Sequence, residues 1–114
     1  MTNNKYNALI SKLIDSTKEN KLVWQKSNRQ NGFCTDILNY QVELFHTSSG
    51  SFLIGKDKDT TYQLTLFDEN GECVDSQEIV SSDEGYDNAV ILLGEARRSC
   101  NKVDDVIQTI IESI

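Results

Sequence analysis

The residues of this chain with chemistry to offer are one histidine, three cysteines and eighteen acids. His46 would have to serve any Ser-His-Asp or Cys-His arrangement, with Cys34 or a serine as nucleophile. No nucleophile-elbow sequence frames a serine, so His46 reads as a strand-end or surface histidine. Cys34, Cys73 and Cys100 are odd in number and widely spaced. That pattern indicates neither a disulfide framework nor a zinc site, and the thiols read as small, half-buried hydrophobes.

The acids invite a calcium reading in two places. Asp57, Asp59 and Thr61 alternate, and Asp68 follows Asp57 by eleven positions, but Tyr62 stands where a calcium loop needs glycine. Asp68-x-Asn70-x-Glu72 is similar, yet a hairpin turn already accounts for Asp68, Asn70 and Gly71. Sixteen acids lie between Asp36 and Glu112, and no pair is singled out by an apolar setting that would tune it for acid–base work. The six glycines are scattered and form no phosphate loop. Arg97-Arg98 falls near a helix end, where the dipole favours cations. No metal, no cofactor and no catalysis are expected.

Net charge is −7 and unevenly placed. Residues 1–32 hold six bases against two acids, a balance of +4, whereas residues 33–114 hold five bases against sixteen acids, a balance of −11. This acidity argues against nucleic-acid binding, which relies on clustered Lys and Arg. The longest apolar run, Ala89 to Leu93, is far short of the roughly 20 residues that span a bilayer, and no apolar signal core opens the chain. A cytoplasmic protein of one domain, residues 1–114, is the expectation, with no membrane partner.

Around these groups the hydrophobic period draws the elements. Tyr6, Leu9, Ile10, Leu13 and Ile14 predict a helix from Asn4 to Glu19 that Asn20 terminates. Leu22-Val23-Trp24 predicts a short strand, with Trp24 buried in the seam between sheet and helix. Phe33 to Thr47 is one bent strand or two short ones, with a parity change at Ile37-Leu38-Asn39 that marks a bulge or a turn. Ser48 to Ser51 is a turn and Phe52-Leu53-Ile54 a short strand. Tyr62 to Ile79 is a hairpin. Its type I turn from Asp68, with Gly71 left-handed, would set Phe67 opposite Cys73 and Leu66 opposite Val74, gathering Tyr62, Leu64, Leu66 and Val74 on one face.

Ser81-x-x-Glu84 has capping-box spacing before a helix with Tyr86, Ala89, Val90, Leu93, Arg97 and Cys100 in one stripe. Gly94 within it suggests close packing against a neighbour. Asn101-x-x-Asp104 resembles a fresh cap for a last helix bearing Val103, Val106, Ile107, Ile110, Ile111 and Ile114 on one face. The fold class is therefore α+β: an N-terminal helix, an antiparallel meander of four to six strands, and two C-terminal helices packed on one face of the sheet.

A small acidic chain without catalytic spacing suits a protein-binding module, such as an immunity- or antitoxin-like inhibitor, a secretion chaperone or an adaptor. Its partner would be another protein with a basic surface, drawn by steering. Glu43, Asp75 and Glu78 on the wet face of the sheet, with Asp83, Glu84 and Asp87, are the candidate partner-binding residues. One alternative is a small-ligand binder or minor enzyme with a pocket near Trp24 and Tyr86. Another is a homodimer joined through a sheet edge or the apolar terminal helix.

Overall fold

The structure is a computed structural model that describes residues 4–29, 31–48 and 60–114. In chain order the elements are α1 (Asn4–Lys18), β1 (Gln25–Lys26), β2 (Gly32–Ile37), β3 (Tyr40–Ser48), β4 (Thr60–Phe67), β5 (Cys73–Ile79), α2 (Tyr86–Asn101) and α3 (Val103–Ser113). The strands form one antiparallel sheet in the order β1-β2-β3-β4-β5, the simple meander that short connections favour. The α+β architecture is as its hydrophobic periods require.

α1 buries Tyr6, Ile10, Leu13, Ile14 and Thr17, one stripe at helical spacing. It stops where Asn20 turns left-handed at φ 62. There Lys21 N–H donates to Ser16 O at 2.8 Å and Asn20 N–H to Thr17 O at 3.0 Å, the paired bonds of a Schellman ending. The chain then brings Trp24 into the core at 1% exposure. Its indole Nε1–H donates to Thr17 Oγ1 at 2.9 Å, so the polar edge of the largest core side chain is satisfied. Leu22–Trp24 is not a strand; pairing starts at Gln25. Hydroxyls hold this stretch instead: Trp24 N–H donates to Ser99 Oγ at 3.0 Å and Thr35 Oγ1–H to Val23 O at 2.9 Å.

Phe33 to Thr47 resolves into two strands. Ile37 pairs with Tyr40 across a two-residue turn in which Leu38 adopts φ 57 and is 91% exposed. The helix-facing side of the sheet carries Phe33, Thr35, Val42, Leu44, Tyr62, Leu64 and Ile79, which close on α1 and on Ala89, Leu92, Leu93 and Ala96 of α2. Ser48, expected to open a turn, still belongs to β3, where it pairs with Thr60; the rest of that turn, the strand of Phe52–Ile54 and the Asp57/Asp59 cation reading lie outside the described residues.

Several expectations are corrected by the packing. The turn after β4 is the bulged type I turn: Gly71 has φ 80, its N–H donates to Asp68 O at 3.0 Å, and Phe67 pairs with Cys73. A second irregularity then expels Val74, which is 57% exposed, and sets Leu66 opposite Asp75. α2 starts at Gly85 without a side-chain cap, so Ser81 and Glu84 form no capping box. Its buried stripe is Ala89, Leu92, Leu93 and Ala96, leaving Val90 and Arg97 outside. A methyl group on Gly94 would meet nothing within 4 Å, so no close approach explains that glycine. Asn101 does not cap α3 either. Lys102, left-handed at φ 51, both ends α2 and starts α3. Of the two C-terminal helices only α2 packs on the sheet, because α3 buries none of its residues.

Candidate functional site

The six candidate acids do not share one surface. Glu43 alternates with Val42 and Leu44 and so faces away from the helices, but it is only 6% exposed. The β1–β2 loop folds Arg29 across it: Nε lies 3.3 Å from Glu43 Oε1, an ion pair lacking hydrogen-bond alignment, and the guanidinium carbon sits 4.5 Å from the Phe45 ring centre. Glu43 thus anchors a loop and is covered by it. Asp75 sits on the opposite side from that expected. The bulge at Val74 rotates it onto the helix-facing side, where it accepts the Tyr6 hydroxyl at 2.7 Å. Burial, followed by that hydrogen bond and the Asp75 charge, pushes the Tyr6 phenol up to about 12.

The other four acids remain outside. Glu78 pairs with Gln63 and is exposed on the face away from the helices. Asp83 accepts Val80 N–H at 2.8 Å, which shapes the β5–α2 connection and holds its carboxyl below the usual range. Glu84 and Asp87 are exposed where α2 begins, and there the helix dipole favours negative charge.

The residues with catalytic potential are kept apart. His46 pairs with Tyr62 and faces the helices, at 6.0 Å between ring centres, and Tyr62 meets Tyr86 edge-on at 5.4 Å. Burial first, then the Arg97 charge, lowers the pKa of His46 below the ordinary value. Cys34 pairs with Glu43 and so lies on the other side of the sheet from His46. Burial and the charges of Glu43 and Asp36 raise its pKa, the reverse of what an activated thiolate requires. Asp68 Oδ1 accepts Asn70 N–H at 2.9 Å and Glu72 N–H at 3.0 Å, so the turn itself uses the oxygen that the second cation reading needed. Among the described residues no group of three His, Cys, Asp or Glu side chains is placed to hold a metal ion. The core closes around Trp24 itself, and beside it a half-open cleft of about 360 Å³ is lined by Thr17, Leu22, Val23, Ser99 and the start of α3.

Among the described residues, α3 carries five of the exposed large hydrophobic side chains. Val106, Ile107, Ile110, Ile111 and Ile114 are 51, 46, 55, 56 and 100% exposed, although their spacing makes one apolar stripe. Its charged residues are Asp104, Asp105 and Glu112, with no base from Val103 to Ile114. One exposed ion pair, Arg98 Nη2 to Asp104 Oδ1 at 2.8 Å, ties it to α2. The isoleucine spacing is readable in the sequence; that no other described residue covers it is not, since periodicity reports a face and not its neighbour. No helix among the described residues is long and apolar enough to cross a membrane. Comparison with protein-family models, with curated proteins and with solved structures finds no match to this chain.

Proposed function

We propose that this chain is a small acidic protein-binding module that docks through α3, with no catalysis of its own. The observation that carries this reading is the uncovered stripe of α3. Isolated helices shorter than about 12–15 residues are marginal in water. α3 has 11 residues, rich in β-branched side chains that lower helix propensity, so its order depends on what it docks against. Fully burying an aliphatic side chain stabilises by about 1.5–3 kcal/mol, so closing the half-exposed stripe is enough to drive association. The three acids flanking it, without a single base, specify an apolar groove rimmed by Lys or Arg. The same absence of bases disfavours an anionic bilayer, where amphipathic helices carry Lys or Arg on the polar face. Glu78, Asp83, Glu84 and Asp87 extend the attraction to the body of the molecule.

The test is a peptide-display selection on the full chain, counter-screened with an Ile107→Asp/Ile111→Asp variant. Enriched peptides rich in apolar and basic residues that lose binding at least tenfold to the variant support the reading. Acidic sequences, or binders indifferent to the variant, overturn it. Light scattering covers the remaining occupant: a dimer abolished by the same substitutions would assign the face to a second copy.

A further inference from the structure

We infer that Asn70 is a site of spontaneous covalent modification, at which the Gly71 backbone nitrogen closes on the Asn70 carboxamide when the Asp68 turn opens. The inference uses no residue of α3 and stands apart from the docking reading. The chain holds two Asn-Gly pairs, Asn31-Gly32 and Asn70-Gly71. Their chemistry is the same, because glycine has no Cβ to shield its nitrogen. That nitrogen attacks Cγ of the asparagine and a new C–N bond closes a five-membered succinimide. The Cγ–Nδ2 bond breaks, and ammonia leaves with the proton that the glycine nitrogen has lost. Water then opens the ring at either carbonyl, giving aspartate or isoaspartate. Water is the only co-reactant.

The fold separates the two pairs. Gly32 is buried at the start of β2, opposite Phe45. One carbon added there would collide with Ser27 Oγ and lie 3.0 Å from Phe45 Cβ, so a ring at this place has no room. Asn70 and Gly71 are instead both exposed at the tip of the β4–β5 turn. A carbon added at Gly71 would meet nothing within 4 Å, so ring closure there displaces only solvent.

The turn restrains the reaction without preventing it. Gly71 N–H donates to Asp68 O at 3.0 Å, so the nitrogen must be released before it can attack. Asp68 Oδ1 keeps the turn closed by accepting Asn70 N–H at 2.9 Å and Glu72 N–H at 3.0 Å. The charges of Asp68, Glu69 and Glu72 also oppose loss of the amide proton. An exposed hairpin tip opens locally far more often than the strands behind it, and the rate follows that opening. Once formed, isoaspartate cannot rebuild the turn. It routes the main chain through Cβ, inserting a carbon between the two N–H groups that share Asp68 Oδ1, next to the Phe67–Cys73 pair.

Prolonged incubation of the full folded chain at mildly alkaline pH, followed by peptide mapping by mass spectrometry, tests the assignment. Conversion replaces NH2 by OH and adds about 1 Da to the peptide concerned. The Asn70 peptide is expected to gain this mass roughly tenfold faster than the Asn31 peptide, with isoaspartate, detected by enzymatic methylation, as the main product. In denaturing urea the two rates should converge to within roughly threefold, because the difference belongs to the fold. Asp68→Ala, which frees the Asn70 and Glu72 amides, should speed conversion at Asn70 roughly threefold and leave Asn31 unchanged. Equal rates in the folded chain, a difference that persists in urea, aspartate without isoaspartate, or an unchanged Asn70 rate in Asp68→Ala overturns the inference.

Discussion

Tyr6 and Asp75 show how one residue's displacement reaches across layers. A single expelled residue, Val74, moves Asp75 from the outer face to the α1 side and gives the buried phenol its acceptor. The neutral phenol is the form the fold prefers, with a pKa of about 12 against an ordinary 10.0. Its contribution to stability is therefore intact below pH 10.0 and is lost as the pH climbs towards 12. Urea unfolding at about pH 9 and about pH 11.5 should show a steeper loss for the parent chain than for Tyr6→Phe, which lacks the titrating group. Gly94 makes a second residue-scale case. It occupies a helix interior with open space beside its α-carbon, so Gly94→Ala should stabilise by about 0.5–1 kcal/mol in the same unfolding measurement. Sequence reasoning expected close packing there because a helical glycine so often signals it. Only the neighbouring atoms reveal whether that reason applies.

Elements were legible where local chemistry decides them and obscure where tertiary contacts do. The β4–β5 turn follows from Asp68, Asn70 and Gly71 alone, and it formed as its residues dictate. The bulge at Val74 has no local signature: Cys73-Val74-Asp75-Ser76 satisfies alternation equally well without it, and the Tyr6 hydroxyl that rewards the shifted register comes from the far end of the chain. Leu22–Trp24 looked like a strand because its side chains are apolar, yet Ser99 and Thr35 supply the hydrogen bonds that a neighbouring strand would have supplied. α3 is the sharpest instance, since its stripe was read correctly and its neighbour was not. Removing residues 103–114 should shift the thermal midpoint by less than about 4 °C, the equivalent of under 1 kcal/mol in a domain of this size. Amide exchange should be fastest across α3 and slowest across β3, β4 and α2. Protection in α3 equal to that of α2 would mean the helix is held by more than the Arg98–Asp104 pair.

At the scale of the molecule, two helices and five strands among the described residues make a two-layer body from which α3 stands off. The fold class was legible because each layer buries the stripe its period draws. The candidate site was only partly legible, because charge says what attracts and not which acids are already engaged: Glu43 lies under Arg29 and Asp75 accepts from Tyr6. The sheet margins are poor templates for association, with β1 only two residues long and β5 interrupted at Val74. With a net charge of −7 added, sedimentation over a wide concentration range should find a monomer. A dimer that survives Ile107→Asp/Ile111→Asp would place self-association on the sheet.

Lys102 carries a consequence of its own. As the joint between the packed body and α3, it separates the residues that secure the fold from the uncovered stripe proposed as the docking face. Specificity can then be rewritten in the last turns of the chain, by substitution or by grafting another amphipathic segment there, while the scaffold that carries it goes on folding unchanged.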